Sequence, residues 1–259
     1  MPEPDLRVDF TGRVVLVTGA GKGIGSGIAR RFGEAGATVA VHYHRSEKGA
    51  QELAGEIEGG GGRAIVLAAD LTRRDQVEGL VAAAVRELGG VDVLINNAGI
   101  YPLSPLLEMP DEEWDAVVDA NLRATFLCTQ AVARHMRDTA RRGAIVDIAS
   151  IEAHHPAPSH SHYDAAKAAV VMHARSAAQE LGPHGIRVNV VSPGLIWREG
   201  LDQAWPEGVA RYLAAAPLGR LGRFEDVANA CLFLASPMAD WITGAELVVD
   251  GGVMSRSIF

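Results

Sequence analysis

The chain has 259 residues, of which 48% are hydrophobic and 22% are charged, as in ordinary globular proteins. Its 24 basic and 32 acidic residues give a formal net charge of −8, and no run of five basic residues occurs, so neither nucleic acid nor an anionic membrane surface is an expected partner. No run of 18 apolar residues predicts a membrane span, and the first ten residues lack the apolar segment of a signal peptide, so we expect a cytoplasmic protein.

The first predicted unit is a strand, a glycine-rich turn and a helix. Residues 14–18 form an apolar, β-branched run, and the helical pattern begins near Ile28. Gly19, Gly23 and Gly25 lie between them, where glycines let the backbone approach a pyrophosphate and the helix N-terminus favours an anion. The spacing is Gly-x-x-x-Gly-x-Gly, and a tight turn of the same composition could also serve only as a connection. Its place between a strand and a helix favours phosphate binding.

The second predicted strand, residues 38–42, ends where a dinucleotide fold reads the ribose of its cofactor. A carboxylate there favours NAD, but this chain continues with Tyr43, His44, Arg45 and Ser46 and has no acid. Lys22 in the glycine loop adds a second cation that could reach a 2′-phosphate. We therefore expect NADP(H) to be preferred and NAD(H) to be possible; the alternative is that the two cations are merely solvated.

Strands and helices then alternate along the rest of the chain. The predicted strands are residues 63–67, 91–95, 145–148 and 187–191, and the predicted helices include residues 76–88 and 114–137. This rhythm, without a linker or repeat, predicts a single α/β domain over residues 1–259, a Rossmann-type doubly wound parallel sheet flanked by helices. Cys128 and Cys231 lie far apart in apolar surroundings, which predicts free core thiols and no metal site.

A later helix brings a phenol beside an amine. Tyr163 and Lys167 are four residues apart, and apolar residues recur with helical period from Lys167 to Leu181, before Gly182 and Pro183. Ser161, followed three residues later by Asp164, is expected to cap this helix. A tyrosine normally titrates near ~10, so proton exchange near neutrality requires a lower pKa, which a neighbouring ammonium favours.

Taken in order, these features resemble the short-chain dehydrogenase/reductase family over nearly the whole chain. The matching segments are residues 18–25, Asp70, 96–99, Asn121, Ser150, Tyr163 with Lys167, 193–194, 242–244 and 249–252. The resemblance implies a cofactor-binding set along the strand ends: Gly19, Lys22, Gly23, Ile24, Gly25, Tyr43, Arg45, Ser46, Asp70, Leu71, Asn97, Ala98, Gly99, Tyr163, Lys167, Pro193, Gly194 and Ile196.

The resemblance also implies four catalytic residues, Asn121, Ser150, Tyr163 and Lys167. Tyr163 would be the general acid in ketone reduction and the general base in alcohol oxidation. Lys167 would lower its pKa and bind the nicotinamide ribose, Ser150 would hold the substrate oxygen, and Asn121 would support a water chain that resupplies protons. Family members are commonly dimers or tetramers, so a homo-oligomer is expected.

Two positions depart from the family pattern. Arg198 stands where a threonine often contacts the nicotinamide amide, which puts that contact in doubt. Arg198 could instead meet the cofactor diphosphate or an anionic substrate group, or be a solvated arginine of residues 195–216, the segment expected to form a lid after Pro193 and Gly194. Phe224 stands where proline is usual, which is expected to affect only the start of the last helix.

The substrate is expected to contact residues 151–162 and 195–216, with Glu152, His160 and Trp197 as candidates. Histidines at 154, 155, 160 and 162 would suit a polar, polyhydroxylated substrate if they line the site, although histidines in loops are often simply solvated.

Three functions remain open. An NADP-dependent carbonyl reductase or alcohol dehydrogenase, of the 3-oxoacyl reductase kind or a ketone reductase, acts on a small carbonyl or alcohol substrate. A sugar or polyol dehydrogenase, similar to the glucose dehydrogenases of the family, differs only in its pocket. A non-catalytic nucleotide-binding regulatory protein would not need the four catalytic residues.

Overall fold

A computed structural model describes residues 8–255 of the chain. In this range one parallel sheet of seven strands has the order β3-β2-β1-β4-β5-β6-β7. The strands are β1 (Val14–Val17), β2 (Thr38–Tyr43), β3 (Arg63–Ala68), β4 (Val93–Asn96), β5 (Gly143–Ile148), β6 (Ile186–Pro193) and β7 (Glu246–Val249). The predicted Rossmann-type α/β fold is confirmed.

Helices cover both faces of this sheet. They are α1 (Gly23–Glu34), α2 (Glu47–Gly59), α3 (Arg74–Leu88), α4 (Asp111–Val118), α5 (Ala124–Asp138), α6 (Ser161–Leu181), α7 (Leu201–Ala204), α8 (Pro206–Ala215) and α9 (Phe224–Ala235). None of the helices in the described part of the chain is both long and apolar enough to span a membrane.

The core has two layers because successive side chains of each buried strand point to opposite faces. In β1, Val15 and Val17 pack with one buried cluster, which includes residues of α1, α2 and α9. Leu16 packs with the other, which includes residues of α3, α5 and α6. Burial on both faces explains the continuous apolar runs in the strands. Cys128 and Cys231 are buried and free, one in each layer.

The strand order reverses between β1 and β4, since β1 continues to β2 and β3 on one side and β4 leads to β5, β6 and β7 on the other. In such a sheet the crevice for ligands opens at the carboxyl ends of the strands, next to this reversal. The glycine loop, Asn97, Ser150 and Gly194 follow such strand ends, so the fold places them along one edge.

The helix predicted over residues 114–137 differs in the structure. Helical conformation begins at Asp111 and continues to Asp138, but a wide π-helical turn at Asp119–Arg123 separates α4 from α5. Such a turn contains one more residue than an α-helical turn and therefore shifts the side chains that follow it.

The expected cap of α6 is wrong. Ser161 is the first helical residue, His160 precedes it without a side-chain capping bond, and the Ser161 hydroxyl has no partner within residues 8–255. Asp164 accepts instead from the backbone N–H of Ala157 at 3.3 Å, so it holds the incoming loop. At α9, by contrast, Asp226 accepts from the N–H of Arg223 at 2.7 Å, and the helix begins at Phe224 without a proline.

Candidate active site

The glycine loop between β1 and α1 is shaped by its contacts with β4. Gly19 has φ +64°, and a Cβ there would lie 2.9 Å from the Cα of Ala98. The Asn97 amide donates to the carbonyls of Thr18 and Gly19 at 2.9 and 3.2 Å. A Cβ on Gly25 would collide with that same amide. Gly19 and Gly25 are therefore required because the loop packs closely against residues 97–98.

The same loop suits an anion on its open side. Gly23 has φ +60°, and no heavy atom of the described chain would lie within 4 Å of a Cβ placed there. Helix α1 begins at Gly23, and among residues 8–255 neither a side-chain cap nor an acidic residue occupies its first turn. The first N–H groups of a helix attract negative charge, so this turn fits the diphosphate of a dinucleotide.

Thr18 joins the loop to the end of β4. Its hydroxyl accepts from the N–H groups of Asn97 and Ala98 at 2.9 and 3.0 Å and donates to the carbonyl of Ile95. The side chain is buried and uses both its donor and its acceptor capacity. These bonds hold the chain after β4 in one conformation beside the expected nucleotide.

The residues expected to read the cofactor ribose lie at the end of β2. Ser46 is the residue before α2, and a Cβ on Gly21 would lie 2.6 Å from its carbonyl oxygen, so the glycine loop and this turn are in contact. Lys22 and Arg45 are exposed, and neither forms an ion pair within residues 8–255. The two cations therefore lie on either side of the contact between the glycine loop and Ser46, with their charges exposed to solvent.

At the end of β3, the side chain of Asp70 is bound within a local turn. Its Oδ1 accepts from the backbone N–H and the hydroxyl of Thr72 at 3.0 and 2.7 Å. Its own N–H donates to Gln76 at 2.7 Å, and Leu71 is buried. These contacts give the end of β3 a fixed shape beside the expected adenine position.

Tyr163 and Lys167 lie in the first two turns of α6. The Lys167 Nζ is 5.5 Å from the centre of the Tyr163 ring and donates to the carbonyl of Ile148 at 2.8 Å. Ser150 follows β5, and its Oγ accepts from the N–H of Glu152 at 3.1 Å. Because that bond uses a lone pair, the Ser150 hydroxyl proton is free to be donated to another oxygen.

Asn121 reaches this group from the π-helical turn. Its amide donates to the carbonyls of Ile100 and Val117 at 2.8 and 2.9 Å, and its Oδ1 is buried without a partner in the described chain. A Cβ at Gly99 would collide with that oxygen and lie 3.7 Å from the Lys167 Nζ. The structure thus brings Gly99, Asn121 and Lys167 together from three separate elements.

The local environment acts on the pKa values of both α6 residues. Burial raises the pKa of Tyr163 above its usual value, the Glu152 charge adds to this, and the nearby Ser150 hydroxyl opposes it. Burial lowers the pKa of Lys167 to about 8, while the Asp147 charge acts in the opposite direction. The spacing of Tyr163 and Lys167 predicts a lowered pKa for Tyr163, but in the structure the pKa is raised because burial dominates.

The histidines of residues 151–162 do not form one cluster. His160 lies beside Tyr163, with ring centres 5.6 Å apart, and its Nδ1 is 2.7 Å from Glu152. His154 instead pairs with Glu246 of β7 at 2.8 Å, and His162 is fully buried.

Glu152, His160 and Asp164 lie close enough for a metal ion, with ligand atoms within 4.8 Å. The hydrogen bond between Glu152 and His160 already explains why two of these three side chains lie so close together. Burial, reinforced by the neighbouring Glu152, raises the pKa of Asp164 to about 6.

The segment after β6, residues 195–216, is the one expected to act as a lid. Pro193 ends the strand, and the N–H of Gly194 donates to Val249 at 3.0 Å. Ile196 pairs with Gly222, whereas Trp197 and Arg198 are exposed. A Cβ on Gly194 would collide with the hydroxyl of Tyr212, which itself donates to the Asp250 carbonyl at 2.7 Å.

Two buried polar side chains next to the site, His42 and Asp147, were not predicted from the sequence. His42 and Asp147 each stand inside an otherwise apolar strand and are almost completely buried, and Asn96 donates to Asp147 at 2.8 Å. An ionisable residue within a β-branched run was the available signal. Their partners come from distant segments, so the spacing of residues could not identify them.

Three comparisons place the chain among known proteins. A family model described as enoyl-(acyl carrier protein) reductase matches residues 19–254. The chain is 43% identical to L-rhamnose 1-dehydrogenase (NAD(P)(+)) of Azotobacter vinelandii, over 93% of this chain and 96% of that protein. It is 39% identical to the 3-oxoacyl-[acyl-carrier-protein] reductase FabG of Staphylococcus aureus, over 92% of this chain and 96% of the relative.

A solved structure agrees with these sequence matches. The crystal structure of a short-chain type dehydrogenase/reductase from Mycobacterium marinum superposes with a TM-score of 0.90 and is 41% identical. The match covers 96% of this chain and 98% of that chain. Fold and sequence therefore agree over nearly the whole length.

Proposed function

The chain belongs to the short-chain dehydrogenase/reductase family and is an NAD(P)-dependent oxidoreductase acting on CH–OH or carbonyl groups, and on that basis we propose that it prefers NADP(H) and uses Tyr163 as its acid–base residue. The observation that carries the catalytic proposal is the convergence of Ser150, Tyr163, Lys167 and Asn121 at one sheet edge.

The glycine loop fits the cofactor, and each residue of the catalytic group has a definite task. When bound, the nicotinamide supplies or accepts the hydride. In reduction, the phenol of Tyr163 gives its proton to the carbonyl oxygen as negative charge develops there, and the hydroxyl of Ser150 donates a hydrogen bond to the same oxygen. In oxidation, the phenol of Tyr163 first passes its proton to water, and the resulting phenolate takes the alcohol proton; burial opposes the first of these steps because it raises the Tyr163 pKa.

Lys167 and Asn121 support that proton transfer. One Lys167 N–H is bound to Ile148, so two remain for the ribose of the cofactor and for water. Both Asn121 amide hydrogens are bound to backbone, so only Oδ1 is available to accept from a water molecule. We assign to this pair the resupply of protons to Tyr163.

The cofactor preference rests on charge at the end of β2. Lys22 and Arg45 flank the contact between the glycine loop and Ser46, and residues 43–46 contain no acid to repel a 2′-phosphate. We expect NADPH to bind at least about tenfold more tightly than NADH. Equal affinities in a fluorescence titration would contradict the preference while leaving the activity unaffected.

A second candidate is a sugar or polyol dehydrogenase, favoured by Glu152 and His160 beside Tyr163. Carboxylate and imidazole groups bind hydroxyl groups well, and the carboxylate of Glu152 disfavours anionic substrates. The rhamnose dehydrogenase relative agrees with this choice. The exposed apolar side chains of Ile100, Tyr101 and Leu103 favour instead the ketone or 3-oxoacyl alternative, because such substrates bring apolar surface.

A substrate panel separates these candidates. Ketones, 3-oxoacyl thioesters, aldoses and simple alcohols would be tested with NADP(H) and NAD(H) by the absorbance of reduced nicotinamide. Turnover of aldoses but not of simple ketones supports the second candidate, and the reverse result supports the first. Tight cofactor binding without turnover of any substrate would support a regulatory role.

Tyr163→Phe tests the catalytic assignment. Loss of the phenol proton is expected to reduce kcat at least about a hundredfold with little change in NADPH affinity, since general acid catalysis contributes on that scale. Tyr101→Phe is the matched control, because its ring meets that of Tyr163 at 6.0 Å but the side chain is largely exposed. Retained activity in Tyr163→Phe would transfer the role to another group.

The assembly and the location are further proposals. We propose a homo-oligomer, a dimer or a tetramer, on the grounds of the apolar residues exposed near β7. A cytoplasmic location fits two buried free thiols in a chain that forms no disulfide between them.

A further inference from the structure

His42 connects the glycine loop to the neighbouring strand end. It lies in β2 with 1% of its surface exposed, and its Nδ1 is 3.0 Å from the backbone N of Gly19. Its Nε2 lies 3.1 Å from the carbonyl oxygen of Ala69, just after β3. We propose that His42 is a positioning residue that holds the glycine loop in its cofactor-binding conformation by linking Gly19 to Ala69.

The two bonds admit one protonation state. The N–H of Gly19 can only donate, so Nδ1 must carry a lone pair; the Ala69 carbonyl can only accept, so Nε2 must carry the proton. His42 is therefore a neutral imidazole with the Nε2–H tautomer. Burial lowers its pKa to about 4, with the nearby His44 acting in the same direction and the Ala69 bond opposing it. The neutral form is thus the one present near neutral pH.

The bond to Gly19 acts at the point where the loop leaves β1. Gly19 has φ +64°, and the next residue, Ala20, donates its N–H to the His42 carbonyl at 2.8 Å. The Asn97 amide holds the Gly19 carbonyl from the other side. The His42 side chain thus binds the Gly19 N–H, the His42 carbonyl binds the Ala20 N–H, and the Asn97 amide binds the Gly19 carbonyl.

The bond to Ala69 lies near the expected adenine position, away from the diphosphate. Ala69 directly precedes Asp70 and Leu71, the residues expected beside the adenine, and its N–H donates to the Tyr43 carbonyl at 3.1 Å. One imidazole therefore connects the backbone of the glycine loop to the backbone of residue 69, next to the residues expected beside the adenine. An apolar side chain in its place would leave a buried N–H and a buried carbonyl without these partners.

Two substitutions divide the roles of the ring nitrogens. The Oδ1 of Asn takes the approximate place of Nδ1, so His42→Asn keeps an acceptor for Gly19 and loses the donor to Ala69. The Nε2 of Gln takes the approximate place of the imidazole Nε2, so His42→Gln keeps the donor and loses the acceptor. His42→Leu removes both.

The readout is the dissociation constant for NADPH and, in parallel, for NADH, with the KM for cofactor and kcat measured on the same proteins. We expect His42→Gln to weaken both cofactors about tenfold, the factor that corresponds to one lost hydrogen bond, and His42→Asn to weaken them less than about threefold. The KM for cofactor should change more than kcat. For each cofactor, the dissociation constant of a variant is divided by that of the wild-type protein. This ratio does not depend on whether the protein prefers NADP(H).

His135→Leu is the control. The N–H of Val91 lies 3.4 Å from the His135 Nε2, so this variant loses a similar contact of imidazole with a backbone amide at the opposite edge of the sheet. It should lower the melting temperature without changing cofactor affinity. Equal affinity losses in His42→Asn and His42→Gln, or losses that simply follow the melting temperatures across all four variants, would overturn the positioning role.

Discussion

Asp147 introduces a fully buried carboxyl group into the strand that leads to Ser150. Its Oδ1 accepts from Asn96 at 2.8 Å, and its Oδ2 lies 4.0 Å from the Nδ1 of His173 without a hydrogen bond within residues 8–255. Burial raises the pKa of Asp147 to about 7, and the Asn96 bond and the charge of Lys167 oppose this shift. The carboxylate in turn favours the charged form of Lys167.

Asp147→Asn is therefore expected to change the pH dependence of catalysis. The amide retains an acceptor for Asn96 but removes the negative charge, so Lys167 loses its proton at a lower pH. The alkaline limb of the kcat profile for alcohol oxidation should move toward lower pH. Asp92→Asn is the control, since Asp92 pairs with Arg141 at 2.7 Å at the opposite edge. An unchanged limb in Asp147→Asn would contradict the coupling.

The same substitution has a predicted effect on stability. The folded protein holds the Asp147 proton up to about pH 7, whereas the unfolded chain releases it near the ordinary value of 3.8. The folded state binds more protons between these values, so this group makes the free energy of unfolding decrease as pH rises through that window. In urea titrations at pH 5 and pH 7, Asp147→Asn should show a smaller decrease than the wild-type protein, and an equal decrease would contradict the raised pKa.

Arg45 is the residue proposed to bind the 2′-phosphate of NADP(H). Arg45→Glu places a carboxylate where a 2′-phosphate is proposed to bind, so the KM for NADP(H) should rise about tenfold or more, with NAD(H) affected much less. Lys48→Glu changes the net charge equally from the exposed side of α2 and serves as control. Similar changes for both cofactors in Arg45→Glu would show that Arg45 does not read the phosphate.

Single residues also show how far sequence reasoning reached. Ser150, Tyr163 and Lys167 could be predicted to meet because a strand end and a helical spacing of four fix their relation. His42 and Asp147 could not, because a lone polar residue in a buried strand looks the same whether its partner is water, backbone or a catalytic group. The reversed direction of the Tyr163 pKa depends on burial, which spacing does not reveal.

At the level of elements, strands β1 to β6 were predicted to within a few residues because each contains an apolar run, whereas β7 was not predicted. The π-helical turn at Asp119–Arg123 was missed because one additional residue hardly disturbs a helical pattern of apolar positions. That turn nevertheless lets Asn121 face Gly99 and Lys167. The cap of α6 was misassigned because Ser-x-x-Asp also occurs one residue inside a helix.

The packing of α1 on α9 depends on Gly27. A Cβ there would collide with the Cβ of Phe224. Gly27→Ala should therefore lower the free energy of unfolding by about 1–3 kcal/mol, the usual cost of overpacking. Gly55→Ala in α2 meets open space and should raise it by roughly 0.5–1 kcal/mol, because alanine favours a helix over glycine. Chemical denaturation measures both, and a stabilising Gly27→Ala would show that the helices can separate without loss.

At the scale of the whole molecule, the alternation of strands and helices was enough to predict the sheet, but not what covers its outer edge. Strand β7 is the last in the order, and apolar side chains are exposed on it and just before it. Trp241 is 100% exposed and Met238 60%. A monomer seldom presents such a surface next to a sheet edge.

We therefore expect light scattering on the purified protein to give a mass at least twice that of one chain at micromolar concentration. Trp241→Ser should shift the equilibrium toward smaller species if this surface is the contact, whereas Lys48→Glu should not. A monomeric wild-type protein under these conditions would contradict the proposed assembly.

The positions of the tryptophans have an optical consequence. The sequence contains four, and in the structure all are partly or fully exposed: Trp114 on α4, Trp197 and Trp205 on the lid, and Trp241 near β7. Reduced nicotinamide absorbs in the band where tryptophan emits, so energy transfer would report cofactor binding from the lid pair. Emission from Trp241 would report assembly. The native chain thus carries fluorescent reporters for cofactor binding and for the proposed assembly, without any attached dye.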